Sequence, residues 1–220
     1  HRIGWFRQHP ADGHYDGSRR RSSGGLMPTE PCPPAQEERL QDERPLRRLG
    51  FAYGPGYAAS LATTSLGPAS LQRWCVWVEP AVGQQPDRWE QRWLTAVEGA
   101  LSTWSEHLPV VRVSSPDQAQ VVVERRRPPR RRTASGWRAS NGRSRLQLLN
   151  VRRLGVWRFE PLVTVLVSPD LRAPVLQATA LHELGHAFGL WGHSPNPLDA
   201  MAVHQETSPL LSPSAEDLET

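Results

Sequence analysis

Two histidines four residues apart in an apolar stretch constrain this chain most. The stretch is Ala180-Leu-His182-Glu183-Leu-Gly-His186-Ala-Phe-Gly189-Leu-Trp-Gly-His193-Ser194. Pro174 stands upstream, where a first helical turn tolerates its missing N–H, and the pattern predicts a helix running from there through both histidines. On a helix, residues four apart share one face, so both imidazoles project the same way. Leu181, Leu184, Phe188 and Leu190 make this helix largely apolar, so its histidines are drawn toward the interior and need polar partners. Two neutral imidazoles and a third nitrogen supply three corners of a tetrahedral zinc site, the fourth being left for water. Zinc lowers the pKa of such a water to near neutrality. Glu183, beside a ligand, stands where a carboxylate takes the water's proton. His193 is the candidate third ligand. Gly189 can adopt positive φ, end the helix and turn the chain back so that His193 reaches the metal.

The rest of the chain supplies a frame for that helix. Arg73 to Val78 is β-branched and aromatic, with Pro80 closing it, and predicts a strand. Asp87 can cap the free N–H groups of a helix, and Glu90 completes a capping box. Trp89, Trp93, Val97, Leu101 and Trp104 follow at helical spacing until Pro109. The segments Val110 to Val113, Gln120 to Val123, Leu146 to Val151 and Leu162 to Val167 predict further strands. The last is nearly all apolar and belongs in the middle of a sheet. Residues 1–70 show neither a strand nor a helix period and are rich in Pro, Gly and Arg. They read as a low-complexity, poorly ordered extension, broken at most by a short helix near Glu37 to Glu43. The folded domain is expected over residues 71–220.

The histidine stretch resembles the signature of the metzincin metallopeptidases, and of the matrixins in particular: His-Glu-x-x-His-x-x-Gly-x-x-His, then a methionine turn beneath the metal. His182, Glu183, His186 and Gly189 match in place, and Leu190 and Ser194 are matrixin-like. Met201, in Leu198-Asp-Ala-Met201, stands where the methionine turn would be. Ser102-Thr-Trp104-Ser105 with Pro109, Gln118 to Val123, and Leu211 to Leu218 resemble the family's first helix, its following strand and the start of its last helix. The resemblance covers residues 71–220 and is closer to bacterial matrixin-like peptidases than to the animal enzymes. It implies an α/β (α+β) metzincin-like catalytic domain, with a twisted mixed β-sheet, a first long helix and an active-site helix. It implies a zinc-dependent endopeptidase with one catalytic zinc on His182, His186 and His193, Glu183 as general base, and Gly189 and Met201 as structural support. A polypeptide substrate would lie along the sheet edge. The family also implies an extracellular or secreted location, and we expect a monomer.

The sequence departs from that pattern in four places. The third histidine comes one residue late, with Gly192 at the signature position, and Gly192 is expected to absorb the extra residue as a bulge. Ala202 and Val203, not Tyr, follow Met201. No histidine lies between His107 and His182, so a second, structural zinc is not expected. The chain ends soon after its last helix begins. Glu206 is a rival third ligand, at a spacing similar to the thermolysin-like group, but Pro195, Pro197 and Pro209 oppose the helix that would carry it; His204 is weaker still.

Every basic residue is Arg, and the formal net charge is +4. The Arg-rich segment 125–145 raises a nucleic-acid reading, but a solvated loop between strands is the better one. A zinc-holding protein without peptidase activity is the other rival. The two cysteines, Cys32 and Cys75, are too few for a disulfide framework. One bridge and two free thiols remain equal alternatives; taken singly, Cys32 reads as a loop cysteine and Cys75 as a buried small hydrophobe. The surroundings of Cys32 do not match the matrixin propeptide thiol. No apolar run reaches membrane-spanning length, and no leader is visible, although the chain begins at His1.

Overall fold

The structure, a computed structural model, describes residues 32–42, 54–64, 67–203 and 208–220. Its frame is a mixed sheet of six strands: β1 (Glu38–Asp42), β2 (Trp74–Val78), β3 (Val110–Arg112), β4 (Val121–Arg125), β7 (Gly142–Arg153) and β8 (Val156–Val167). Across the sheet they lie in the order β1-β7-β8-β4-β2-β3. Strands β8, β4, β2 and β3 run parallel, whereas β7 is antiparallel to β8 and β1 antiparallel to β7. Strands β5 (Arg131–Thr133) and β6 (Gly136–Arg138) form a small separate hairpin. Among the described residues, three α-helices complete the α+β architecture: α1 (Arg88–Ser105), α2 (Ala173–Ala187) and α3 (Ala215–Glu219). Among the described residues, no helix is long and apolar enough to cross a membrane.

Alternation decides which strands are interior. Val163, Val165 and Val167 of β8 and Val121 and Val123 of β4 are buried at every second position, as a strand covered by helices requires. β8 is central, between β7 and β4. Helix α1 begins at the expected capping box: Asp87 Oδ1 accepts from Trp89 N and Glu90 N at 2.8 Å, and Glu90 accepts from Asp87 N at 3.1 Å. Its inner face carries Trp93, Val97, Leu101 and Trp104, which join Leu176, Leu181 and Leu184 of α2 in one core. Buried indoles need partners for their N–H groups. Trp93 Nε1 donates to Val167 O at 3.1 Å and Trp104 Nε1 to Leu181 O at 3.0 Å, tying α1 to β8 and to α2. Trp89, expected on the apolar face, is half-exposed and sits under Arg88 and Arg92.

The N-terminal part differs from expectation. Residues 1–31 lie outside the described residues. The segment expected at most to coil into a helix near Glu37 instead forms β1, which adds to the edge of β7 with Glu38 opposite Arg152 and Asp42 opposite Leu148. Unpaired backbone groups on that edge outweigh a weak local helical preference. Residues 32–37 strap the end of the sheet. Gln36 N donates to Asp117 O at 3.0 Å, Glu37 N donates to Arg152 O at 2.9 Å, and Cys32 is disulfide-bonded to Cys75 on β2. The bridge, left open from sequence, makes both single-residue readings of the cysteines incomplete: Cys75 is buried, and it anchors the strap. Cys32–Thr220 forms one compact unit. The Arg-rich loop holds the β5–β6 hairpin and the first residues of β7.

Candidate metal centre

Helix α2 presents the cluster. His182 and His186 lie one turn apart with ring centroids 4.8 Å from each other. The helix stops at Ala187, and just past its cap Gly189 takes a φ of 122°, a left-handed conformation that a side chain disfavours. The chain then returns, and His193 meets the other two at centroid distances of 5.3 and 5.0 Å. One ligand atom from each of the three residues lies within 4.8 Å of the others, close enough to hold a single metal ion. Met201, fully buried, places its sulfur against Gly185 of α2. It sits in a turn closed by Ala202 N donating to Asp199 O at 3.1 Å, and Ser194 N donates to Met201 O at 3.0 Å. Gly192 takes no positive φ. Smallness is what it supplies, because a Cβ there would lie 2.9 Å from Ser60 O. Glu206 and His204, the rival ligands, lie outside the described residues.

The donor set fits a metal. His182 Nδ1 donates to Ala200 O at 2.8 Å and His186 Nδ1 to Leu190 O at 2.6 Å. A carbonyl can only accept, so each Nδ1 carries the proton and each Nε2 keeps its lone pair free for a cation. Burial, reinforced by neighbouring His182, pushes His186 down to about 3; burial also lowers His182 and His193. The imidazoles are therefore held neutral, the form that ligates.

Glu183 is buried beside the cluster. Ser144 on β7 donates to Glu183 Oε2 at 2.7 Å and fixes the carboxylate. Burial pushes this carboxyl up to about 7, opposed by the Ser144 hydrogen bond and the charges of Arg143 and Arg131. β7 comes this close to α2 because residue 142 is glycine; a Cβ there would lie 2.6 Å from Glu183 Cγ. Around the cluster opens a cleft of about 1130 Å³, lined by Arg131, Arg138, Arg143, Ser144, Trp191 and the three histidines among others.

Several supports were missed in the sequence. Trp191 stacks on His186 with centroids 5.7 Å apart. Ala62 N donates to Trp191 O at 2.7 Å, so the segment before residue 71 braces the third-ligand loop. Asp217 on α3 accepts from Tyr57 Oη at 2.6 Å and from Ala200 N at 2.7 Å, holding the turn that carries Met201. The Ser214–Asp217 capping box was the one local signal for that link. No protein-family model matches the chain, and no curated protein matches it significantly.

Proposed function

We propose that this chain is a zinc-dependent endopeptidase with a metzincin-like, matrixin-type domain. The observation that carries the reading is the convergence of His182, His186 and His193 beside the buried, hydrogen-bonded Glu183. Three nitrogen ligands are the donor set of a catalytic zinc site. Zinc held there supplies a Lewis acid and a water that is acidic near neutral pH. His182, His186 and His193 would hold the ion, and Glu183 would serve as the proton acceptor from water and the donor to the leaving amine, while Ser144 keeps the carboxylate aimed. The substrate is a polypeptide. β1 covers β7 from Leu148 to Arg152, and among the described residues no strand pairs with the outer edge of Gly142 to Gln147, the part next to Glu183. An extended peptide adds to that edge through main-chain hydrogen bonds. The Cys32–Cys75 bridge favours an oxidising location, outside the cytosol.

Glu183→Gln tests the mechanism. Turnover of a quenched peptide should fall by about 10²–10⁴-fold, with zinc still bound at one ion per chain by metal analysis. Hydrolysis at the parent rate would falsify the assignment of Glu183. Zinc without turnover in the unsubstituted protein would instead mark a metal-holding protein of the same fold.

A further inference from the structure

Several arginines outside the cleft are matched by carboxylates: Arg125 with Glu90, Arg127 with Asp170, Arg152 with Glu37 and Glu38, Arg153 with Glu160. The three that line the cleft are not. Arg131 and Arg138 face each other across the β5–β6 hairpin, and Arg143 leaves β7 next to Glu183. None of the three forms an ion pair among the described residues, and Arg143 donates only to a carbonyl, Pro129 O, at 2.7 Å. Glu183 is the sole carboxylate among the described residues lining the cleft, and Ser144 already holds it. Three cationic side chains that share a cleft with a single carboxylate repel one another, and that carboxylate does not balance them. A ligand with negative charge removes that repulsion and gains charge-assisted hydrogen bonds.

We propose that the cleft selects acidic peptides, with Arg131, Arg138 and Arg143 receiving Asp or Glu side chains that flank the scissile bond. This rests on the peptidase reading and names its substrate class. The geometry favours a peptide over a nucleic acid. Arg131, Arg138 and Arg143 line the same cleft as Glu183 and the histidines, beside an open strand edge. Arg126 and Arg127, which continue the basic run outside the cleft, are bound to Glu124 and Asp170.

Zinc-loaded Glu183→Gln protein is titrated with three labelled peptides of one backbone, carrying Asp, Ala or Lys on both sides of the central bond, and anisotropy is read. The Asp peptide should bind at least about fivefold tighter than the Lys peptide, and raising salt from about 0.05 M to about 0.5 M should erase the difference. In the same background, Arg131→Gln with Arg138→Gln should level the three affinities. Arg131→Glu with Arg138→Glu should favour the Lys peptide, a gain that no folding defect produces. Arg127→Gln, outside the cleft, should leave the preference intact. Equal binding of all three peptides, or binding of none, overturns the proposal. So does an oligonucleotide of equal net charge that displaces the Asp peptide. The two readings separate when the unsubstituted zinc protein is assayed with the same peptides. Equal hydrolysis of all three sinks the charge selection and leaves the peptidase. Selective binding without hydrolysis sinks the peptidase and leaves the selection.

Discussion

The two ends of β7 use the same residue type for opposite purposes. At its far end, Arg153 is 4% exposed. It donates to Glu160 at 3.0 Å and to Asp117 O at 2.8 Å, and it also reaches Pro34 O. There the strap and β1 close the strand's edge, and Arg152 and Arg153 both have carboxylate partners. At its near end, Arg143 has no carboxylate partner among the described residues, the edge is open, and the histidine cluster lies alongside. A buried arginine surrounded by acceptors is a structural clamp. A cleft arginine without them faces whatever enters. The difference lies in the partners, not in the residue.

The largest expected effect comes from breaking the clamp. Arg153→Met removes the cation and leaves Glu160, whose side chain is only 14% exposed, without its counter-charge. Breaking such a pair on one side costs about 3–5 kcal/mol, read as a drop in the denaturant midpoint. Metal affinity should not change, because the clamp stands at the other end of the strand. A variant as stable as the parent would mean that the far end is not a clamp. Next in size is the disulfide. Cys32→Ser with Cys75→Ser opens a loop of sequence separation 43 and should cost about 2–4 kcal/mol. All described side chains of β1 are exposed, so the strand has little but backbone pairing and the strap to hold it. Amide exchange should therefore rise first at Glu38 to Gln41 in the reduced protein, while the protection of α2 persists. Equal loss of protection in both places would contradict the separation of the two ends.

How much of this was legible in the sequence follows from how local each signal is. The capping box of α1, the four-residue histidine spacing and the helix-ending glycine are fixed within a few residues, and they were readable. The central place of β8 was readable too, because Leu162 to Val167 is nearly all apolar. The strand β1 was not, because Glu38 pairs with Arg152, more than a hundred positions away, and nothing in residues 38–42 alone announces that partner. Two cysteines cannot reveal whether they meet. Ser144 looked like any loop-edge serine until β7 placed it against Glu183. The cleft arginines were visible only as a basic run, since sequence does not show which members of the run are matched by acids.

The smallest effect is the most discriminating, because it tests whether near-end supports act on the metal site itself. Tyr57 Oη donates to Asp217, which is 2% exposed; Asp217 accepts from Ala200 N, and Ala200 O accepts from His182 Nδ1. Tyr57→Phe removes one donor from a buried carboxylate and should cost about 1–3 kcal/mol. Burial, with Asp217 adding to it, raises the tyrosine's pKa well above its ordinary value. The folded pKa is raised, so the contribution is full below the unfolded value of about 10. It is lost as pH climbs past that value, because only the unfolded chain then releases the proton. The stability gap between parent and variant should accordingly shrink above about pH 10. Loosening Ala200 also loosens the group that orients His182, and outer partners of a metal-binding histidine are worth about 10-fold or more in affinity. Tyr57→Phe should thus weaken zinc binding in a competition assay with a chelator, whereas the more destabilising Arg153→Met should not. If both variants bind zinc as the parent does, the link from α3 to His182 only stabilises the fold, and the near end differs from the far end in its open charges alone.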